Sequence, residues 1–239
     1  MKKFSSVLLI VAVMLFTGSL VFGQQVQLRG SGILYKPNGA AATGSDESGL
    51  NSVDWDSGNG FDIQGIYWLK DSPWGFGASI GKATWEIDEY DEMQSSGGYI
   101  FGDGLEGDAD LTIFGVSVFR QLSELFSKSE ESKLGFVGEI GIRSISVDSN
   151  IDGTTGIIAS GGMMIWNQSL EFEDGVVGLV ALDVEYAVQE NIKLFVQGGY
   201  QFDLQKGEVE RDVPGLGTYV AGETELQAAY AKAGIAVSF

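Results

Sequence analysis

The sequence predicts an all-β protein: a closed, eight-stranded antiparallel β-barrel that crosses a bilayer, with short turns at one end and long loops at the other. Three observations predict it. Val176–Leu204 holds two runs of period-two alternation on either side of a tight turn. Six further segments alternate in the same way. The connections between the eight are short and long in turn.

The hairpin is the clearest element. Val176, Val180, Leu182, Val184, Tyr186 and Val188 share one face, with Asp183 and Glu185 on the other. After Gln189-Glu190-Asn191 come Ile192, Leu194, Val196, Tyr200, Phe202 and Leu204, opposed by Lys193, Gln197, Gln201 and Asp203. Alternate residues of a strand point to opposite faces, so each arm has an apolar and a polar side. Each arm also exceeds the roughly 9–11 residues that a tilted strand needs to cross a membrane.

The other segments follow in chain order. Gln25–Lys36 sets Val26, Leu28 and Leu34 against Gln25, Gln27, Arg29 and Ser31. Phe61–Lys70 separates Phe61, Ile63, Tyr67 and Leu69 from Asp62, Gln64 and Lys70. Trp74–Asp88 places Trp74, Phe76, Ala78 and Ile80 opposite Gly75, Gly77, Ser79 and Gly81. Leu111–Arg120 is apolar on both faces and has no assignable orientation. Leu134–Val147 opposes Phe136, Ile140 and Ile142 to Glu139 and Arg143. Thr224–Phe239 opposes the Ala229-to-Phe239 series to Tyr230, Lys232 and Ser238.

Met1–Gly23 reads as a cleaved secretory signal, with Lys2 and Lys3 ahead of the apolar Val7–Phe16, leaving one barrel domain over residues 24–239. No later stretch is an apolar run long enough for a spanning helix. Aromatic residues near segment ends (Tyr67, Trp74, Tyr186, Tyr200, Phe202) fit an interfacial girdle. A soluble barrel would show the same alternation with its faces reversed. The Gly- and Ser-rich polar face argues against that arrangement, because a solvated exterior carries dense Lys and Glu.

The chain resembles the small eight-stranded bacterial outer-membrane barrels, of the OmpX, OmpW and OmpA transmembrane-domain type. The resemblance rests on the pattern and on the closing Ala233-Ile235-Val237-Phe239 series. It implies periplasmic turns, extracellular loops, location in the bacterial outer membrane, and contact with outer-membrane lipids. It also implies that Ile235, Val237 and Phe239 form the signal read by the barrel-assembly machinery. Unlike OmpA, the sequence stops at the last strand, so no peptidoglycan-binding domain is expected.

Composition narrows the function. The chain has no histidine and no cysteine. Barrels of this kind that are enzymes resemble one another in using a histidine base, so a non-enzyme without cofactors is expected. Asp183 and Glu185 are the only obvious carboxylate pair. A net charge of −19 offers no basic stripe for nucleic acid. The function expected is envelope structure or surface interaction around a mostly filled polar lumen. The alternative is an OmpW-like transporter or narrow pore for small apolar molecules or ions.

The candidate site residues fall into three groups. Arg29, Arg143, Lys193 and Lys232 face the lumen with Asp62, Glu139, Asp183, Glu185 and Asp203, near balance, as expected of a paired network. Arg143 stands out because Glu139 shares its face four residues away. The apolar run Gly156–Trp166 lies in a predicted external loop, and Met163, Met164, Ile165 and Trp166 are a candidate lip for an apolar ligand or surface partner. The long loops carry most of the negative charge. Asp103, Glu106, Asp108 and Asp110 form a weak candidate calcium cluster without the spacing of an EF-hand loop. Leu122, Leu125 and Phe126 suggest one helical turn in the connection before Lys133.

Overall fold

A computed structural model describes residues 25–44, 53–87, 90–96, 99–122, 133–159, 162–215 and 217–239; for 43–44, 90–96, 99–103, 155–159 and 162–163 it describes the backbone alone. The signal segment and the Leu125–Phe126 turn lie outside the described residues. The strands are β1 (Gln25–Pro37), β2 (Ala40–Gly44), β3 (Val53–Trp68), β4 (Trp74–Ile87), β5 (Tyr90–Ser96), β6 (Tyr99–Gln121) and β7 (Leu134–Ala159). They continue with β8 (Gly162–Phe172), β9 (Gly175–Gln189), β10 (Ile192–Gln205), β11 (Gly207–Val213), β12 (Gly217–Thr224) and β13 (Ala228–Ser238).

Eight of these strands close a ring in the order β1, β3, β4, β6, β7, β9, β10, β13, with every neighbouring pair antiparallel and β13 returning to β1. They are the eight segments marked in the sequence. Closure matters because hydrocarbon offers no partner for an edge strand's N–H and C=O groups. Phe239 completes the seam: its N–H donates to the Val26 carbonyl at 2.8 Å. The outward face is apolar all round, with Leu34 and Ile140 each 67% exposed. Of the first strand's apolar residues, Leu28 and Leu34 do face out, whereas Val26 is buried at the seam.

The long connections are not irregular loops. Many of their residues are strand, and these build a second circuit above the first: β3, β4, β6, β7, β8, β11, β12, β2 and back to β3. Four strands run through both circuits. The 26-residue β7 is one of them, and at about 3.4 Å per residue it is far longer than a bilayer requires. The Gly156–Trp166 run extends β7 and β8 as a hairpin above the barrel, so its strand adds nothing to the membrane ring.

The outer surroundings explain why side-chain polarity inverts between the storeys. In the lower ring Phe61 and Ile63 face out while Asp62 and Gln64 face in. Higher on the same strand Val53 and Trp55 are buried and Asp54 is exposed. Lipid covers the lower exterior, and water covers the upper one, so the apolar face must turn inward where the strand leaves the bilayer. On β3 an irregularity between Trp55 and Gly58 makes the switch. On β6 the inward positions are apolar at Leu111 and Ile113 and become Gly115 and Ser117 lower down, while Val116 and Val118 face out. That strand is where the two patterns overlap, which is why its sequence is apolar on both faces.

The upper core centres on Trp85, fully buried, with Trp55 edge-on at 5.6 Å and Tyr35 tilted at 5.5 Å between ring centroids. Gly58 makes room for it: a Cβ there would lie 2.1 Å from Trp85 Cδ1. A smaller plug of Ile66, Trp68, Phe119 and Val137 closes the short-turn end. Trp85→Ala should cost about 3–5 kcal/mol of stability. Urea unfolding followed by loop proteolysis should show the upper storey opening first, while the unboiled protein keeps its compact gel migration.

Candidate functional site

The polar layer lies between the two apolar plugs. Arg29, on β1, is fully buried and reaches across the lumen to β9, where its Nη1 donates to Asp183 Oδ2 and its Nη2 to Glu185 Oε1. Its Nε donates to Gln27 Oε1 at 3.1 Å, and its Cζ lies 5.0 Å from the Phe195 ring centroid. Lys193 Nζ donates to the other Glu185 oxygen at 2.7 Å. Its side chain is partly exposed, so it sits near the short-turn end of the lumen. On the far side Asp62 accepts from both Lys232 Nζ and Ser31 Oγ.

Among the described residues, Glu139 is held by neutral donors. It accepts from Ser117 Oγ at 2.7 Å, Gln64 Nε2 at 3.2 Å and Gln197 Nε2 at 2.7 Å. Arg143 and Glu139, which share a face of one strand, make no hydrogen bond to each other among those described. Residues four apart on a strand are roughly 13 Å apart along it, unlike on a helix, so sharing a face does not bring them together. The Arg143 guanidinium instead lies 5.1 Å from the Tyr230 ring centroid, and its Nη atoms have no hydrogen-bond partner among the described residues. Asp203 belongs to the mouth rather than the lumen, where it accepts from the Leu226 N–H at 2.8 Å.

Sequence reasoning missed the neutral partners. Gln27, Gln64, Gln197 and Ser117 are all buried and supply the hydrogen bonds that make the charges tolerable. Their signal was present, as amides and hydroxyls on the inward face. Among the described residues, apolar clusters lie on either side of the layer.

The other two candidate groups separate. Met164 and Ile165 are more than half exposed on the β7–β8 hairpin and Trp166 is half-buried, while the side chain of Met163 is outside the described residues. Met164 and Ile165 lie in the outer, exposed part of that hairpin. The candidate calcium cluster does not converge. Glu106, Asp108 and Asp110 occupy alternate positions of β6, roughly 7 Å apart, and no metal-holding group occurs among the described residues. The Asp103 side chain is not described.

The ring order, apolar exterior and filled interior define an eight-stranded barrel of the outer-membrane type. The chain matches no protein-family model and no curated protein. Among solved structures it is similar to a major outer membrane protein from Thermus thermophilus, at 10% identity and a TM-score of 0.50, covering 90% of this chain and 99% of that one. It is also similar to Neisserial surface protein A, at 14% identity and a TM-score of 0.42, covering 91% and 97%. Outer membrane protein AlkL is a third, at 12% identity and a TM-score of 0.46, covering 90% of each chain. Such identities speak to the fold alone.

Arg29→Met should destabilise the barrel by about 3–5 kcal/mol, because buried Asp183 loses its counter-charge and Glu185 is left with Lys193 alone. The triple variant Arg29→Met, Asp183→Asn, Glu185→Gln should recover most of that loss. Denaturant titration in detergent micelles measures both.

Proposed function

We propose that the protein is a non-enzymatic, non-conducting barrel of the bacterial outer membrane, whose acidic upper storey serves contact at the cell surface. The observation that supports it best is the lumen: paired and hydrogen-bonded charges sealed by an apolar plug at each end. Ions need a wet, continuous path, and the dense packing of Trp55, Trp85 and Phe172 across the upper storey argues against one.

The contact element is the β7–β8 hairpin. Gly162–Gln168 carries no charge in a strongly acidic chain, and above Ser169 the outer edge of β8 has no strand partner among the described residues. An uncharged, apolar open edge favours the addition of an extended segment from a partner. The transporter reading would need the Met/Trp residues around an open mouth, and the exposure of Met164 and Ile165 on an extended hairpin favours surface contact instead.

In planar bilayers the wild type and Arg143→Ala should both lack step-like conductance, since the packed rings of Trp55, Trp85 and Phe172 remain in the variant. Discrete steps in the wild type would overturn the sealed-lumen reading. Binding of an apolar dye that is lost in Trp166→Ala, together with dye uptake into proteoliposomes, would favour transport instead.

A further inference from the structure

The outer wall built by β4, β6 and β7 carries an apolar groove in its lipid-facing band. Phe76, Val116, Val118, Ile140 and Ile142 surround Ala78, the small outward residue among large ones, and leave a cleft of about 520 Å³. That volume falls in the range of small-ligand clefts, roughly 300–1,000 Å³.

The groove leads to a cation at the short-turn end. Val116, Val118 and Arg120 follow one another on the outward face of β6, and Val116 pairs with Ala78. Arg120 is therefore four residues, roughly 13 Å along the strand, from the level of Ala78. Tilt shortens that distance along the bilayer normal, and one leaflet's hydrocarbon is about 15 Å deep. Groove and guanidinium thus belong to one leaflet, the one that meets the short turns.

The neighbouring strands hold Arg120 and leave space beside it. It pairs with Trp74 of β4 on one side and Gly138 of β7 on the other. Its Cζ lies 5.0 Å from the Trp74 ring centroid, a cation–π contact that keeps the guanidinium at the level of the aromatic girdle. Gly138 is uncrowded: the nearest atom to a Cβ there would be Leu122 Cδ1, at 3.5 Å. Arg120 is exposed and makes no ion pair among the described residues. The outward positions around it, Trp74, Phe76, Val118, Phe136 and Gly138, carry no carboxylate. In the β3–β4 turn Lys70 precedes Asp71, so that turn adds no net charge.

We propose that this wall holds one glycerophospholipid with a net negative headgroup, in the leaflet at the short-turn end. Its phosphate accepts from the Arg120 guanidinium beside Gly138, and one acyl chain runs past Val118 to lie over Ala78. The planar fork of a guanidinium matches two phosphate oxygens. A zwitterionic headgroup would bring an ammonium close to that guanidinium with no carboxylate at these positions to receive it. The inference rests on the lipid-facing reading of the outer band.

The test is native mass spectrometry of the detergent-purified protein with added phosphatidylglycerol or phosphatidylethanolamine of matched acyl chains. The wild type should retain phosphatidylglycerol better. Arg120→Gln should lower that retention by about tenfold, as expected for loss of a charge-assisted contact to phosphate, and abolish the preference. Lys82→Gln, toward the loop end of the same wall, should leave both lipids unaffected. Ala78→Phe should weaken both alike and keep their order. Wild-type retention of phosphatidylglycerol in Arg120→Gln, or an equal loss in Lys82→Gln, would overturn the proposal. Unboiled gel migration checks that each variant is still a barrel. A protein that stays dispersed without detergent would defeat the lipid-facing reading itself, a different outcome from loss of headgroup selectivity in an intact barrel.

Discussion

A peptide group in hydrocarbon must find its hydrogen-bond partner within the protein, and the remaining features of this molecule answer to that demand. Eight strands satisfy it by closing on themselves, the last pairing with the first from Gln27 to Pro37. Closure at this strand number leaves an interior only wide enough for side chains. Whatever faces inward must then be packed or paired, which is why Arg29, Asp183 and Glu185 form one buried cluster and why Gln197 bridges Asp183 and Glu139.

Above the bilayer the demand relaxes, yet the strands continue. Water could satisfy the backbone there, but it would also penalise the apolar faces that four of the strands carry upward. The upper circuit resolves this by enclosing those faces around Trp85, as a water-soluble β-protein would. One chain thus contains two kinds of barrel stacked on shared strands: polar within and apolar without below, the reverse above.

Much of this is legible in the sequence. All eight membrane strands show in it, and the inward and outward faces of seven of them can be assigned, because period-two alternation is a direct record of what lies on each side. The upper storey is not legible. Its segments are rich in Asp, Glu, Ser and Gly, residues that read as loop, and the alternation breaks where the exterior changes from lipid to water, as at Trp55–Gly58. Partner choice in the lumen is equally hidden. Arg29 and Asp183 are 154 residues apart in the chain, and only barrel curvature brings them together. Glu139, by contrast, has its apparent partner on its own strand, yet amides and a hydroxyl from other strands solvate it.

The β6–β7 ladder runs without a break in register from Ile100 paired with Ile158, near the outermost tip, down to Gln121 paired with Val137 at the opposite end. No hinge interrupts those two strands, so the tip cannot swivel independently of the part anchored in the membrane. A pull on the tip along the strand axis would pass down both strands together and load their pairings with β4 and β9 in shear, spreading the force over many bonds at once. Built this way, the two strands would act as a mast: tension applied at the tip would reach the membrane-spanning part directly instead of being absorbed by slack chain.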